Sequence, residues 1–327
     1  MSRADVFRRD LRSVYRSRTG TAVTAIVALT TVVAAGLFAL GSGVQALAGI
    51  GALLVVGSLV ALVFLGNPKQ IAAVVVAFTV LAVVVTLALR DPTTGVGARP
   101  SMGTAVLVAG GGLSFLLPLV GLIGSYAALV GERETGSVRF LLGLPNSRDG
   151  AYAGKFLART AVVCVPLVIC LLLTGAIVAL TFEDGSFLAT VGLTVVSIPY
   201  ALLFVGIGLT ASAYAETSNR AVAVVIAVFA VLRGGWPAVQ FLMLAGVEDA
   251  YPRPEWYFWI GRLNPINAYV KLTTLFAEFE YGHPLLTAPG EIATVATTHS
   301  FAAVVLLAWT VVAPLAGLLY FRRRDLL

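Results

Sequence analysis

Apolar residues gather in eight uncharged runs along the chain, at 21–40, 46–66, 71–89, 103–130, 161–181, 187–214, 221–232 and 301–321. A helix needs about 20 apolar residues to cross a bilayer, and most of these runs reach that length. None alternates polar with apolar as barrel strands do. Backbone amides in hydrocarbon must bond within their own segment, so the runs read as helices despite their Val and Thr content. The run 221–232 is cut by Arg233-Gly234-Gly235-Trp236-Pro237. It spans only if the helix carries on toward Leu244 with the Arg233 head group snorkelling to the interface. The pattern predicts an all-α integral membrane protein, a polytopic helical bundle of about eight transmembrane helices.

Composition removes the soluble alternatives. Of 327 residues, 59% are hydrophobic and 12% charged, about half the charge of a soluble domain. Mean hydropathy is +0.95. Before the first run, Ala4, Phe7, Leu11, Val14 and Tyr15 oppose Arg8, Arg9, Arg12 and Arg16 at helical spacing. Residues 1–20 therefore read as an amphipathic elbow helix lying flat on the cytoplasmic surface, and 21–327 as a single transmembrane domain. A cleaved leader ending near Ala46-Leu47-Ala48 is the rival reading. The long amphipathic start and the spanning run that follows at once speak against it. With the amino terminus inside, eight crossings leave sixteen of the 22 Lys and Arg residues on the cytoplasmic side. Both termini are then cytoplasmic, in a multi-pass protein of the plasma membrane. The net charge of +6 is a topology signal, spread along membrane edges, and predicts no nucleic-acid partner.

Several chemistries find no residues to carry them. No run holds an ionisable side chain in its interior, whereas ion-coupled carriers keep one at the bilayer centre. The nearest approach to a phosphate-binding loop, Gly150-Ala-Tyr-Ala-Gly154-Lys155-Phe156, has one residue too few between its glycines and no Ser or Thr for magnesium. Cys164 and Cys170 lie six apart inside an apolar run, and His283 and His299 lack neighbouring thiolates, so neither a disulfide, a metal site nor a cofactor is expected. A transporter of this kind takes its work from a partner.

The cytoplasmic loop 131–158 is where such a partner would engage. Ser137 can cap a short helix that exposes Val138, Leu141 and Leu142 on one side and Arg139 on another before Pro145 ends it. Asn146 or Ser147 can cap a second. An apolar ridge with charged flanks suits docking into a groove. Glu132, Arg133 and Glu134 sit where the preceding helix meets water and can pair with charged groups of a docked ATPase; the bland reading is that they anchor the helix end.

In this loop the chain resembles the ABC type-2 exporter permeases, through Gly131, Glu132, Arg133, Glu134, Gly136, Ser137, Leu141, Leu142, Pro145, Ser147, Arg148, Gly154 and Lys155. The likeness extends to the elbow, to Trp236-Pro237, and to a Trp256-Tyr-Phe-Trp259 stretch that leads through Asn264-Pro265 to Tyr269. It implies an ABC ATPase subunit that engages the loop as a coupling helix, and a second permease copy in the complex. Members generally have six crossings, so 46–89 reads as an inserted hairpin. Some relatives are associated with multicopper-enzyme maturation, but three Met, two Cys and two His residues are too scattered for a copper relay.

The outer segment 245–300 is too polar to span yet dense in aromatics, as an interfacial belt is. The resemblance suggests short re-entrant helices broken at Asn264-Pro265, with Trp256, Trp259, Asn264, Pro265 and Tyr269 as outer-gate candidates; aromatic anchoring in lipid predicts the same residues. Pro118, Pro166, Pro199 and Pro314 lie inside spans, where each permits a kink. The expected function is the permease subunit of an ATP-driven exporter for an amphiphilic or lipid-like cargo, with no ATPase site of its own. A carrier working alone and a non-conducting structural or regulatory subunit are the alternatives.

Overall fold

A computed structural model describes residues 3–16, 101–136, 148–182, 184–247, 252–276 and 293–323. Every regular element among them is helical: α1 (Arg3–Arg16), α2 (Met102–Ser125), α3 (Val130–Glu134), α4 (Arg148–Thr181), α5 (Phe187–Tyr214), α6 (Ser218–Ala230), a π turn (Val231–Gly235), α7 (Trp236–Ala245), α8 (Glu255–Leu263), α9 (Pro265–Thr273), a 3₁₀ turn (Val295–Thr297) and α10 (His299–Arg323). Five helices among the described residues are long and apolar enough to cross a membrane: Ala109–Glu134, Arg148–Leu180, Phe187–Tyr214, Ser218–Ala245 and His299–Arg323. They account for five of the eight runs. The runs 21–40, 46–66 and 71–89, and with them the inserted hairpin and the leader reading, lie outside the described residues.

Helix α5 forms the centre, flanked by α10, α2 and α4. Its neighbours come close because small residues sit at the crossings. A Cβ on Gly208 would lie 2.1 Å from the Ser125 hydroxyl of α2, and one on Gly206 would lie 2.8 Å from the Pro314 ring of α10. Without a hydrophobic effect between helices inside lipid, such close packing supplies much of the attraction. Ends are capped as helix physics requires. Ser186 Oγ accepts from Ala189 N at 3.2 Å at the start of α5, and the Asp184 carboxylate accepts from Met102 N at 2.9 and 2.8 Å at the start of α2.

Three expectations change. The span expected at 161–181 begins at Arg148: α4 runs 34 residues without interruption, so 148–158 is not a separate loop helix. Nothing in that stretch breaks helical geometry, and Gly150–Phe156 is regular helix, unlike a loop wrapped around phosphate. The elbow α1 does more than lie on the surface. Val6, Asp10 and Val14 are buried at i, i+4, i+8 spacing and face α4, while Arg8, Arg9 and Arg12 stay exposed. The side chains of Ala4 and Tyr15 lie outside the described residues.

The third change concerns Arg233. Helices α6 and α7 join through the π turn into one 28-residue candidate span, which puts Arg233 at its centre. The guanidinium does not snorkel; it stacks on the Phe115 ring of α2 with its carbon 3.2 Å from the centroid. The spans are therefore not free of ionisable groups. The π turn itself follows from Pro237. Trp236 N donates five residues back to Val231 O, and in that register the next donor, to Leu232 O, would be Pro237, which has no N–H. Asn264 supplies the missing donor, with Nδ2 2.7 Å from Leu232 O. Its Oδ1 accepts from Ile266 N at 2.9 Å and caps α9.

Two outcomes test this packing. Gly208→Ala should lower the thermal midpoint of the purified protein by forcing α5 from α2, at a cost of about 1–3 kcal/mol, whereas Gly111→Ala, where a Cβ meets nothing within 4 Å, should leave it unchanged or slightly raised. Asn264→Asp keeps the cap on α9 but removes the donor to Leu232 O, and should cost about 1–3 kcal/mol; an unchanged unfolding midpoint would count against the π-turn account.

Candidate functional site

At one end of the bundle the chain leaves α2 through a turn at 126–129 and enters the single helical turn α3, which carries Glu132, Arg133 and Glu134. Ser212 of α5 fixes this turn: its Oγ accepts from Leu129 N at 2.9 Å and Val130 N at 3.0 Å. Each charge of the triplet then reaches a different helix. Glu132 Oε1 lies 2.7 Å from Lys155 Nζ of α4 and 3.3 Å from Arg9 of α1. Arg133 donates to the carbonyls of Ser212 and Ala213, satisfying acceptors left over at the end of α5. Glu134 accepts from Ser218 N at 2.7 Å and Ser218 Oγ at 2.5 Å, at the start of α6, where a carboxylate also complements the helix dipole.

Lys155 is the interior of this cluster. Its side chain is 1% exposed, and its Nζ lies 3.2 Å from Asp10 Oδ1, itself on a side chain only 4% exposed. The other oxygen of Asp10 is 3.3 Å from Arg159 Nε, close enough for ion pairing but without hydrogen-bond alignment. Arg159 also donates to Gly124 O of α2 at 3.1 Å. Two carboxylates thus face three cations across α1, α3 and α4. Beside them, Arg322 of α10 grips Asp149 of α4 with two bonds of 2.6 Å, and Arg148 donates to Arg322 O at 2.9 Å.

Of the loop residues read from sequence, Glu132, Arg133, Glu134, Arg148 and Lys155 come together here, with partners inside the chain. Gly136 stands at φ +71°, the left-handed conformation that ends α3. Ser137, Leu141, Leu142, Pro145 and Ser147 lie outside the described residues. Sequence reasoning missed Asp10, Arg159, Ser212 and Ser218. A signal existed for the first two: Asp10 is an acid on the apolar stripe of a basic helix, and Arg159 follows Lys155 by one helical turn.

At the other end, α8 and α9 are short helices of nine residues each, broken at Asn264. Tyr269 is fully buried, stacked on Tyr200 of α5 with ring centroids 4.1 Å apart and its hydroxyl 2.9 Å from Ser197 Oγ. Burial holds its phenol well above the usual range. Pro265 is buried at the first turn of α9. Trp259 is exposed, hydrogen-bonded to Glu255 at 3.0 Å and edge-on to Phe301 at 4.9 Å; Trp256 is half-buried against Tyr257. Arg262, which sequence reasoning left out of the site, is 2% exposed. It donates to Ala296 O at 3.1 Å and Asn267 O at 2.7 Å, and desolvation pulls its pKa down to about 10. Lys271 on α9 is lowered as well, by burial first and then by Arg262.

The sequence compares with known proteins in one informative way. The model of a family described as ABC-2 family transporter protein matches residues 4–326. No curated protein matches the chain. A match over nearly the whole length, on an all-helical chain with five described helices able to cross a membrane, means that this protein belongs to the ABC-2 family of transporter proteins.

Proposed function

We propose that the chain is the permease subunit of an ATP-driven exporter, powered by a separate nucleotide-binding subunit that docks on residues 137–147 and paired with a second permease copy. The observation that carries this reading is the distribution of the Glu132-Arg133-Glu134 bonds. A displacement of α3 pulls on α1 and α4 through Glu132, on α5 through Arg133 and on α6 through Glu134. A turn of five residues is thereby linked to helices that run the length of the bundle. An anchor for one helix end would need only one of these links. In this reading the apolar Leu141 and Leu142 contact the ATPase, and the charged triplet transmits its motion without touching it. Asp10 and Arg159 act as positioning residues that hold Lys155 in place.

The long apolar spans suit an amphiphilic or lipid-like cargo more closely than a small ion. The working arrangement places both termini and α3 in the cytoplasm of a plasma-membrane protein, with α8 and α9 outside, where they form a gate.

Sidedness is checked by labelling. A cysteine placed at the exposed Thr135, in a background with Cys164 and Cys170 replaced, should react with a membrane-impermeant maleimide in inside-out vesicles and not in intact cells; the reverse pattern would overturn the orientation. Co-purification tests the division of labour. Leu141→Asp with Leu142→Asp should abolish capture of an ABC ATPase encoded beside this chain. Glu134→Ala should retain the ATPase and lose transport. Loss of neither capture nor transport in these variants would remove the coupling assignment and favour a non-conducting or independent protein.

A further inference from the structure

Tyr269, Thr273 and Phe276 follow one another at i, i+4 and i+7 along α9 and the turn that ends it, so they share one stripe. Each seats against a different part of α2 or α5. Tyr269 stacks on Tyr200 with ring centroids 4.1 Å apart, and its hydroxyl is 2.9 Å from Ser197 Oγ. A Cβ on Gly110 of α2 would lie 2.9 Å from Thr273 Cγ2, and one on Gly192 of α5 would lie 2.1 Å from the Phe276 ring. Two glycines thus serve as sockets for side chains of α9.

Depth orders these contacts. α2 and α5 approach closely at Gly121, where a Cβ would lie 2.8 Å from Phe204 Cβ. From there toward the ends where the two helices begin, Tyr200 donates to Ser114 O at 2.8 Å, and then come Gly110 and Gly192 with Thr273 and Phe276 against them. α9 therefore lies along the α2–α5 seam from its middle to its mouth. Seven of its nine residues are buried, whereas a helix resting in the membrane interface keeps one face free of protein.

The stripe can be released without unfolding α9. Thr273 Oγ1 donates to Val270 O at 2.8 Å, inside the helix, and the turn beyond closes on itself, Phe276 N donating to Thr273 O at 3.2 Å. At the other end Asn264 is extended, with φ −71° and ψ 122°, so α9 is a short rod jointed where α8 stops. Among the described residues, the stripe is tied to α2 and α5 by a stack, a hydroxyl pair and van der Waals contact. These part and re-form without a change in backbone bonding.

We propose that this stripe is a removable plug: seated, it seals the α2–α5 seam at the end where both helices begin, and withdrawn, it opens the seam as far as Tyr200. The inference rests on the transport reading above, in which α8 and α9 form a gate, and names the side chains that shut it. Withdrawal is driven through Asn264, which joins α9 to Leu232 of the α6–α7 span at 2.7 Å. A small displacement of that span loads α5 through the tyrosine stack, and a larger one parts the stack.

The test needs no ATPase, so its failure and the failure of the coupling reading are distinct. Full-length protein in nanodiscs, with Cys164 and Cys170 replaced by alanine, carries Ser197→Cys as reporter, because Ser197 is fully buried beside Tyr269. Alkylation at residue 197 by N-ethylmaleimide, followed by peptide mass, should be slow. Adding Gly110→Ala or Gly192→Ala should unseat the plug and raise the rate about tenfold, the factor given by ~1.4 kcal/mol of lost closure. Gly111→Ala, where a Cβ meets nothing within 4 Å, should leave it unchanged. Thr273→Ala clears space beside Gly110 and should return the Gly110→Ala rate toward the parent's, which separates unseating from unfolding. A second measurement compares one polypeptide with itself. A Cβ on Gly110 would lie 3.1 Å from Thr273 Cβ, near the ~3.8 Å of a disulfide, so Gly110→Cys with Thr273→Cys should oxidise and pin the plug. Alkylation of residue 197 should then be about tenfold slower in the oxidised than in the reduced protein. Parent rates in both glycine-to-alanine variants, equal rates in the oxidised and reduced pair, or a pair that does not oxidise would overturn the proposal.

Discussion

Burying an ammonium group costs several kcal/mol unless carboxylates answer it, and Lys155 is buried to within 1% of its side-chain surface. Asp10 and Glu132 answer it from two directions, one from the amino-terminal helix and one from the turn after α2. Neither acid could move away without leaving an uncompensated charge in a closed interior. This requirement holds α1 against α4 and holds α3 against both. It makes the Lys155 end of the bundle a single mechanical piece even though its helices are far apart in sequence.

The same accounting of polar groups explains the other end. Pro237 leaves the Leu232 carbonyl without a backbone donor, and a bare carbonyl inside a membrane bundle is costly. Asn264 meets it while capping α9 with its other atom. The break between α8 and α9 is thus tied to the irregular turn in the α6–α7 span. Trp236 and Gln240 reinforce the tie by donating to the carbonyls of Ile260 and Tyr257, both at 3.0 Å. Motion of that span would carry α8 and α9 with it, and Tyr269, stacked on Tyr200, would pass the motion to α5. One end organised by ion pairs and another organised by hydrogen bonds to freed carbonyls share α5 and α6 as their connections.

The Glu-Arg-Glu triplet shows how a motif can be located correctly and its partners still be unforeseen. Its position at the water-facing end of a span is legible in the sequence. Its bonds to Lys155, Ser212 and Ser218 are not, because they depend on which helix ends the packing brings beside α3. Lys271 is similar: it stands in plain view in the sequence, but its closeness to Arg262 and His299 appears only when α8, α9 and the start of α10 converge.

Hydropathy and helical periodicity alone determined that the chain is a helical membrane protein, roughly where its five described spans fall, and that α1 is amphipathic; the break at Asn264-Pro265 was implied by the family resemblance. Those features are local, set by the cost of unsatisfied backbone in lipid and by residues a turn apart. Tertiary structure decided that α1 binds α4 through a buried acid, that Arg233 turns inward onto Phe115 and not out toward water, and that Arg262, Lys271 and His299 come near one another. Such outcomes depend on pairs up to 145 residues apart, whose meeting is governed by close approach at small residues and by matching of buried polar groups across helices, neither of which leaves a periodic mark on the sequence.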